Sequence, residues 1–114
     1  MEKAMRTYVI DDLSPETLAA VSDSCTELGL SSSIEGVFWL PVADSNLTPL
    51  QQEHKGACGP FVMALTVEED SLILELLVRS RNTLHCNCIC YASPALRSHM
   101  MQYVDGLVDE SAAP

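Results

Sequence analysis

Apolar and polar residues alternate along three consecutive segments between residues 61 and 91, and this alternation predicts a β meander. The segments read FVMALTVE, SLILELLVR and TLHCNCICY, and the short polar sequences EEDS and SRN separate them. A period of two places alternate side chains on opposite faces of a sheet. Polar turn sequences between such segments favour tight antiparallel connections. We therefore expect three neighbouring antiparallel strands.

Apolar residues at helical spacing predict one long helix before this meander and one after it. Ser14 and Pro15 supply an N-cap and a first-turn proline for the first helix, and Gly29 ends it. Ser93 and Pro94 begin the second helix in the same way. The apolar stripes consist of Leu18, Val21, Cys25 and Leu28 in the first helix and of Leu96, Met100, Tyr103, Val104 and Leu107 in the second. Because such stripes face a core, Cys25 is expected to be buried.

Two further strands and a short helix complete the predicted elements. Residues 6–11, RTYVID, and residues 34–42, IEGVFWLPV, are rich in β-branched and aromatic side chains, which favours strands. The second of these should be buried on both sides for much of its length. A capping box formed by Thr48 and Gln51 begins the short helix, and Gly56 is its expected end.

This order of elements predicts an α+β fold. We expect a two-layer sandwich, in which a mainly antiparallel sheet of about five strands carries the two long helices on one face. Residues 1–110 should form a single α+β domain, because a chain of 114 residues can bury one core. Residues 111–114 should form a frayed C-terminal tail.

The charge balance and the apolar pattern narrow the classes of partner. Sixteen acidic and six basic residues give a formal charge of −10, which repels the phosphates of nucleic acids and anionic lipids. No apolar stretch reaches the roughly 18 residues of a membrane span, and the start MEKAMRTYVIDD lacks the apolar region of a signal peptide. We therefore expect a cytoplasmic protein that binds neither nucleic acid nor membrane.

The cysteines carry the candidate chemistry. Cys86, Cys88 and Cys90 occupy alternate positions of the third predicted strand, and His54 and Cys58 precede them in the chain. Structural zinc takes four nitrogen or sulfur ligands in a tetrahedron. Fourth neighbours on a strand are about 13 Å apart, so Cys86 and Cys90 could not share an ion. The adjacent pair Cys86 and Cys88 could do so together with His54 and Cys58.

Core packing is the preferred interpretation of these cysteines, and zinc binding is the alternative. The three strand cysteines share the phase of the apolar residues, and free cysteine is often buried. No metal or other cofactor is therefore favoured. A second alternative is a thiol enzyme with Cys58 as nucleophile, His54 as base and Glu53 as the orienting group. The chain contains no GxSxG, HExxH, GxGxxG or Walker-type glycine loop, so we expect a protein without catalytic activity.

The opposite face of the meander mixes polar and apolar side chains and is the predicted binding surface. Pairing the last two strands around SRN places Arg79 near His85 and Asn87 near Leu77 or Glu75. We expect a small acidic binding or regulatory protein that binds a protein segment or a small-molecule ligand here. The predicted ligand-binding residues are Glu75, Arg79, His85, Asn87 and Tyr91. A homodimer is expected, because pairing two copies would bury the apolar part of this face.

Overall fold

The computed structural model describes residues 5–112, where six strands and three α-helices follow one another along the chain. The strands are β1 (Thr7–Ile10), β2 (Val37–Pro41), β3 (Phe61–Val67), β4 (Leu72–Glu75), β5 (Leu77–Ser80) and β6 (Cys90–Tyr91). The helices are α1 (Pro15–Glu27), α2 (Pro49–Cys58) and α3 (Pro94–Ala112), and a 3-10 turn at Asp44–Asn46 precedes α2. The predicted α+β fold is confirmed.

Within these residues every strand pairing is antiparallel, and β3 lies at the centre of the sheet. β3 pairs with β2 along one edge and with β4 and β5 along the other. β1 extends the sheet beyond β4, and β6 extends it beyond β5. The outer strands β1 and β6 therefore occupy the same edge of the sheet.

β4 and β5 are the two halves of the second predicted meander strand, which is interrupted at Leu76. Leu65 of β3 lies opposite Leu74, whereas Val62 lies opposite Arg79. Three steps along β3 thus correspond to five steps along the partner, so the partner contains two extra residues at this point, which is a bulge. The backbone of Leu76 bonds instead to the segments that precede β1 and follow β6.

The long helices α1 and α3 cover one face of the sheet, and the core lies between the helices and the sheet. Buried side chains of α1 and α3 join those of the sheet in a single cluster. The sheet residues with no exposed side-chain surface are Leu40, Met63, Leu65, Leu72, Leu74 and Leu76. Cys25 of α1 is fully buried, as predicted, and this burial raises the pKa of its thiol.

Two element boundaries differ from the prediction. β2 is shorter than residues 34–42 and is not buried on both sides, since Val37 and Trp39 on the outer face are only half-buried. At the C-terminal end, α3 continues to Ala112, within the segment predicted as a frayed tail. Residues 113–114 of that predicted tail, like residues 1–4, lie outside the described residues.

The third meander strand is the main correction to the prediction. Residues 81–89 form an irregular loop with bends and one turn, and only Cys90–Tyr91 remain as the strand β6. The chain turns directly after β5, because the hydroxyl of Ser80 accepts hydrogen bonds from the backbone N–H groups of Asn82 and Thr83. Tyr91 consequently lies opposite Leu77. The predicted hairpin register, with Asn87 beside Leu77, is wrong.

Candidate metal centre

α2 presents His54 and Cys58 on one of its faces. The capping box at Thr48 and Gln51 begins the helix, with both reciprocal hydrogen bonds formed. The helix then continues through Gly56 to Cys58, so the predicted end at Gly56 is wrong. A glycine inside a helix costs only about 1 kcal/mol relative to alanine, which the remaining helical contacts offset. Residues four apart are neighbours on a helix surface, so the two side chains point the same way.

Loop 81–89 brings the other two ligands to this helix face. The N–H of Ile89 donates to the carbonyl of Cys86 at 3.1 Å, which closes a turn around Cys88. In an extended strand the Cα atoms of Cys86 and Cys88 would be about 6.7 Å apart. The turn removes this restriction. The Sγ of Cys86 lies 3.1 Å from Nδ1 of His54.

Four side chains therefore meet between α2 and the loop, and we call them the metal cluster: His54, Cys58, Cys86 and Cys88. One ligand atom from each lies within 4.8 Å of all the others. Zn–S bonds of about 2.3 Å in a tetrahedron place two sulfurs about 3.8 Å apart. A contraction of about 1 Å across the widest pair gives that spacing. One nitrogen and three sulfurs are a donor set of structural zinc sites.

The thiols of the metal cluster have unequal proton affinities. The backbone N–H of Cys88 donates to the sulfur of Cys86 and, with the Cys88 thiol and His54, lowers the pKa of Cys86 to about 6. Burial, together with the neighbouring sulfurs of Cys86 and Cys58, raises the pKa of Cys88 to about 12. Cys86 is therefore a ready thiolate ligand, while Cys88 needs a cation nearby to lose its proton.

Hydrogen bonds fasten α2 to the segment that carries the cysteines. Gln51, which is only 1% exposed, donates from Nε2 to the carbonyl of Cys88 at 2.9 Å. The hydroxyl of Ser80 donates to the carbonyl of Cys58, and the side-chain amide of Asn82 donates to the carbonyl of Gly59. Sequence reasoning missed these supporting residues. The capping-box motif identifies Gln51 in the sequence, but only the folded structure shows that its side-chain amide donates to the carbonyl of Cys88.

Cys90 lies outside the metal cluster. Its Sγ is 3.6 Å from Nε2 of Gln51, in the short strand β6. The prediction that Cys86 and Cys90 cannot share an ion assumed an extended strand, which residues 81–89 do not form, so it stays a prediction. The packing interpretation fits Cys88, which is 1% exposed and belongs to the core. Cys86 is half-buried and packs against the core, whereas Cys90 is half-buried and is not part of it. Because residues 81–89 are not a strand, the predicted apolar ladder of alternate cysteines is wrong.

The predicted ligand-binding residues are divided between the sheet and the loop. Glu75 and Arg79 form an ion pair on the sheet face opposite the helices, with Nε of Arg79 2.7 Å from the carboxylate. This hydrogen bond raises the pKa of Arg79. Tyr91 is half-buried in β6, whereas His85 and Asn87 are exposed in loop 81–89. Ligand binding at this surface stays a prediction.

Glu53 is not placed to orient His54, as the thiol-enzyme alternative requires. Adjacent residues of a helix point about 100° apart, so Glu53 and His54 of α2 do not face each other. Glu53 is exposed to solvent, and Cys58 is only 5% exposed. This burial disfavours Cys58 as a nucleophile for an external substrate.

The helices and the comparisons with known proteins place few restrictions on function. Within residues 5–112, no helix combines the length and the apolar character that a bilayer crossing requires. No protein-family model, no curated protein and no solved structure matches the chain. The metal cluster is therefore the feature from which the chemistry of the protein is inferred.

Proposed function

We propose that the protein binds one zinc ion through His54, Cys58, Cys86 and Cys88, and that the ion fastens loop 81–89 to α2. The convergence of these four ligand atoms within 4.8 Å carries the proposal. The donor set selects the metal. Magnesium and calcium prefer oxygen ligands, whereas thiolates with one imidazole in a tetrahedral arrangement suit zinc.

The number of ligands indicates a structural role for the ion. Catalytic zinc keeps one position for water or substrate, while structural zinc is surrounded by four protein ligands. All four positions would be filled here. A structural zinc is compatible with the expected binding or regulatory role, because the ion would hold a loop in place and would not supply a reactive water.

The surroundings of the metal cluster suit the capture of a cation. Cys58 and Cys88 are buried, whereas His54 and Cys86 are half-buried and so are partly accessible from solvent. The formal charge of −10 attracts cations to the protein. The hydrogen bond from Gln51 joins α2 to the loop, and the bond from Ser80 joins α2 to the end of β5, where the loop begins.

Native mass spectrometry and metal analysis of protein purified without chelator test the proposal. We expect one zinc ion per chain. The variant Cys58→Ser should lose the ion and melt at a lower temperature, because a neutral hydroxyl replaces a thiolate ligand.

Cys90→Ser is the matched control, since Cys90 is a half-buried cysteine of the same region outside the metal cluster. It should retain the zinc ion. A metal-free wild-type protein, or an equal zinc content in both variants and the wild type, would refute the zinc centre.

A further inference from the structure

A cavity of about 230 Å³ lies on the sheet face opposite the helices, next to the start of loop 81–89. Its walls come from β2, β3, β5 and the loop, and the principal lining residues are Trp39, Val62, Arg79, Arg81, Leu84 and Ile89. Val62 belongs to the outer face of the sheet, yet it is only 4% exposed because these neighbours surround it. None of the metal ligands lines this cavity.

The cavity concentrates positive charge in an acidic protein. Arg79 and Arg81 are two of only six basic residues in a chain of formal charge −10. Arg79 is neutralised by its ion pair with Glu75. Arg81 is exposed, and among residues 5–112 no carboxylate lies within ion-pair distance of it. The cavity therefore presents one uncompensated guanidinium.

Apart from the hydroxyl residues Ser80 and Thr83, the rest of the lining is apolar. Leu84 is 87% exposed, the highest value among the large hydrophobic residues of the described chain. The ring of Trp39 and the side chain of Ile89 are half-buried beside it. A concave apolar surface with a few polar groups is the usual form of a small-molecule site. An exposed leucine at its rim indicates a surface that a ligand would cover.

We propose that this cavity binds a small organic carboxylate with an apolar body. Arg81 would hold the carboxylate through paired N–H donors, as guanidinium groups do. Trp39, Leu84 and Ile89 would contact the apolar body. The size of the cavity favours a small ligand, since the cavity volume is below the roughly 300 Å³ at which drug-sized pockets begin. This function is separate from zinc binding, although loop 81–89 takes part in both.

The fluorescence of Trp39 reports the occupancy of the cavity, because Trp39 is the only tryptophan of the chain. Titration with 4-phenylbutanoate, excited where only tryptophan absorbs, should give a saturable change in emission. The neutral 4-phenylbutanol and the cationic 4-phenylbutylamine should bind at least about tenfold more weakly, since they lack the charge that Arg81 recognises.

Arg81→Ala should weaken the binding of 4-phenylbutanoate by about tenfold or more. Arg97→Ala removes the same charge from α3, away from the cavity, and should bind as the wild type does. No saturable change in the wild type, equal binding of the alcohol, or equal weakening by both variants would overturn the proposal.

Two other occupants would also overturn it. A dimer in sedimentation experiments that Leu84→Ala converts to a monomer, with no binding of 4-phenylbutanoate, would make the cavity an interface between copies. An acidic peptide that binds where 4-phenylbutanoate does not would identify a protein segment as the occupant. Zinc content measured on the same samples separates the two proposals: zinc-loaded protein that ignores the carboxylate contradicts this one alone.

Discussion

Gln51 connects the two halves of the metal cluster, and its replacement is a test at the scale of one residue. Its Oε1 accepts from the N–H of Thr48, and its Nε2 donates to the carbonyl of Cys88. Gln51→Ala should lower the free energy of unfolding by about 1 to 3 kcal/mol, because buried polar groups lose their partners. Zinc affinity should fall about 10- to 100-fold, as for other supporting residues of metal sites. Urea unfolding and competition with a zinc chelator measure both effects.

Gln102→Ala is the control for this variant. Gln102 is an exposed glutamine of α3, so its truncation should change neither the free energy of unfolding nor the zinc affinity beyond about 0.5 kcal/mol. A Gln51→Ala protein that binds zinc as tightly as the wild type would show that Gln51 does not position the loop.

Cys86 should be the most reactive thiol of the metal-free protein. Its pKa of about 6 leaves it mostly as thiolate at about pH 7, whereas the pKa of about 12 keeps Cys88 protonated. Burial raises the pKa of Cys25 as well. The alkylation rate of Cys86 should therefore be near its plateau at about pH 7 and should fall as the pH drops below about 6, because protonation removes the nucleophile.

Peptide mass spectrometry after timed exposure to iodoacetamide resolves the individual cysteines. Added zinc should protect Cys86, since a coordinated sulfur is no longer free to attack. Faster alkylation of Cys58 than of Cys86 would contradict this prediction and would support the alternative hypothesis of a thiol enzyme with Cys58 as nucleophile.

At the scale of elements, local signals predicted most of the fold. Caps at Ser14, Thr48 and Ser93 mark helix starts because a side-chain acceptor meets backbone N–H groups within the next few residues. The alternation of apolar and polar residues correctly predicts the strand β3 and the segment that contains β4 and β5. The bulge at Leu76 was not predictable, since the alternation runs through it unbroken and only the partner strand reveals the extra residues.

The prediction of a strand in residues 81–89 is wrong because this segment has the residue pattern of a strand but forms a loop. Leu84, Cys86, Cys88 and Cys90 occupy alternate positions, and the first two intervening residues, His85 and Asn87, are polar. This period of two alone indicates an extended chain. Hydrogen bonds to Ser80 and to α2 outweigh that preference. The bond to α2 comes from Gln51, which is 37 residues from Cys88 in sequence. The residue types alone identify the four candidate ligands. Their side chains come together only because the chain turns between Cys86 and Ile89, which the sequence does not reveal.

Two glycines near the end of α2 form a matched test of this element. A Cβ at Gly59 would lie 2.5 Å from the carbonyl oxygen of Lys55, whereas a Cβ at Gly56 would meet nothing within 4 Å. Gly59→Ala should therefore lower the free energy of unfolding by about 1 to 3 kcal/mol through the strain of this contact. Gly56→Ala should raise the free energy of unfolding by about 0.5 to 1 kcal/mol, because alanine favours a helix interior.

Urea unfolding followed by circular dichroism compares the two variants under identical conditions. Since both changes add one methyl group, their opposite signs would isolate the backbone contact at Gly59 from the general effect of alanine. Equal shifts in the same direction would mean that α2 does not end as the structure shows.

At the scale of the whole molecule, we expect most of the core to form without the metal. The fully buried side chains of β2, β3 and β4 pack with α1 and α3, and of the metal cluster only Cys58 and Cys88 belong to this core. A chain of 114 residues buries enough apolar surface to fold without a metal. Zinc should therefore secure one region of the protein, unlike the ions of zinc fingers, which fold the whole domain.

Chelation of the metal should open loop 81–89 while the rest of the fold persists. Arg81 is exposed at the start of this loop, so trypsin can cut after it once the loop leaves α2. Treatment with EDTA should accelerate cleavage after Arg81 and lower the melting temperature, with the far-ultraviolet circular dichroism nearly unchanged. Re-adding zinc should restore protection, and Cys58→Ser should behave like chelated protein with or without zinc. Identical cleavage maps would show that the loop does not need the ion, and global unfolding on chelation would show that the core depends on it.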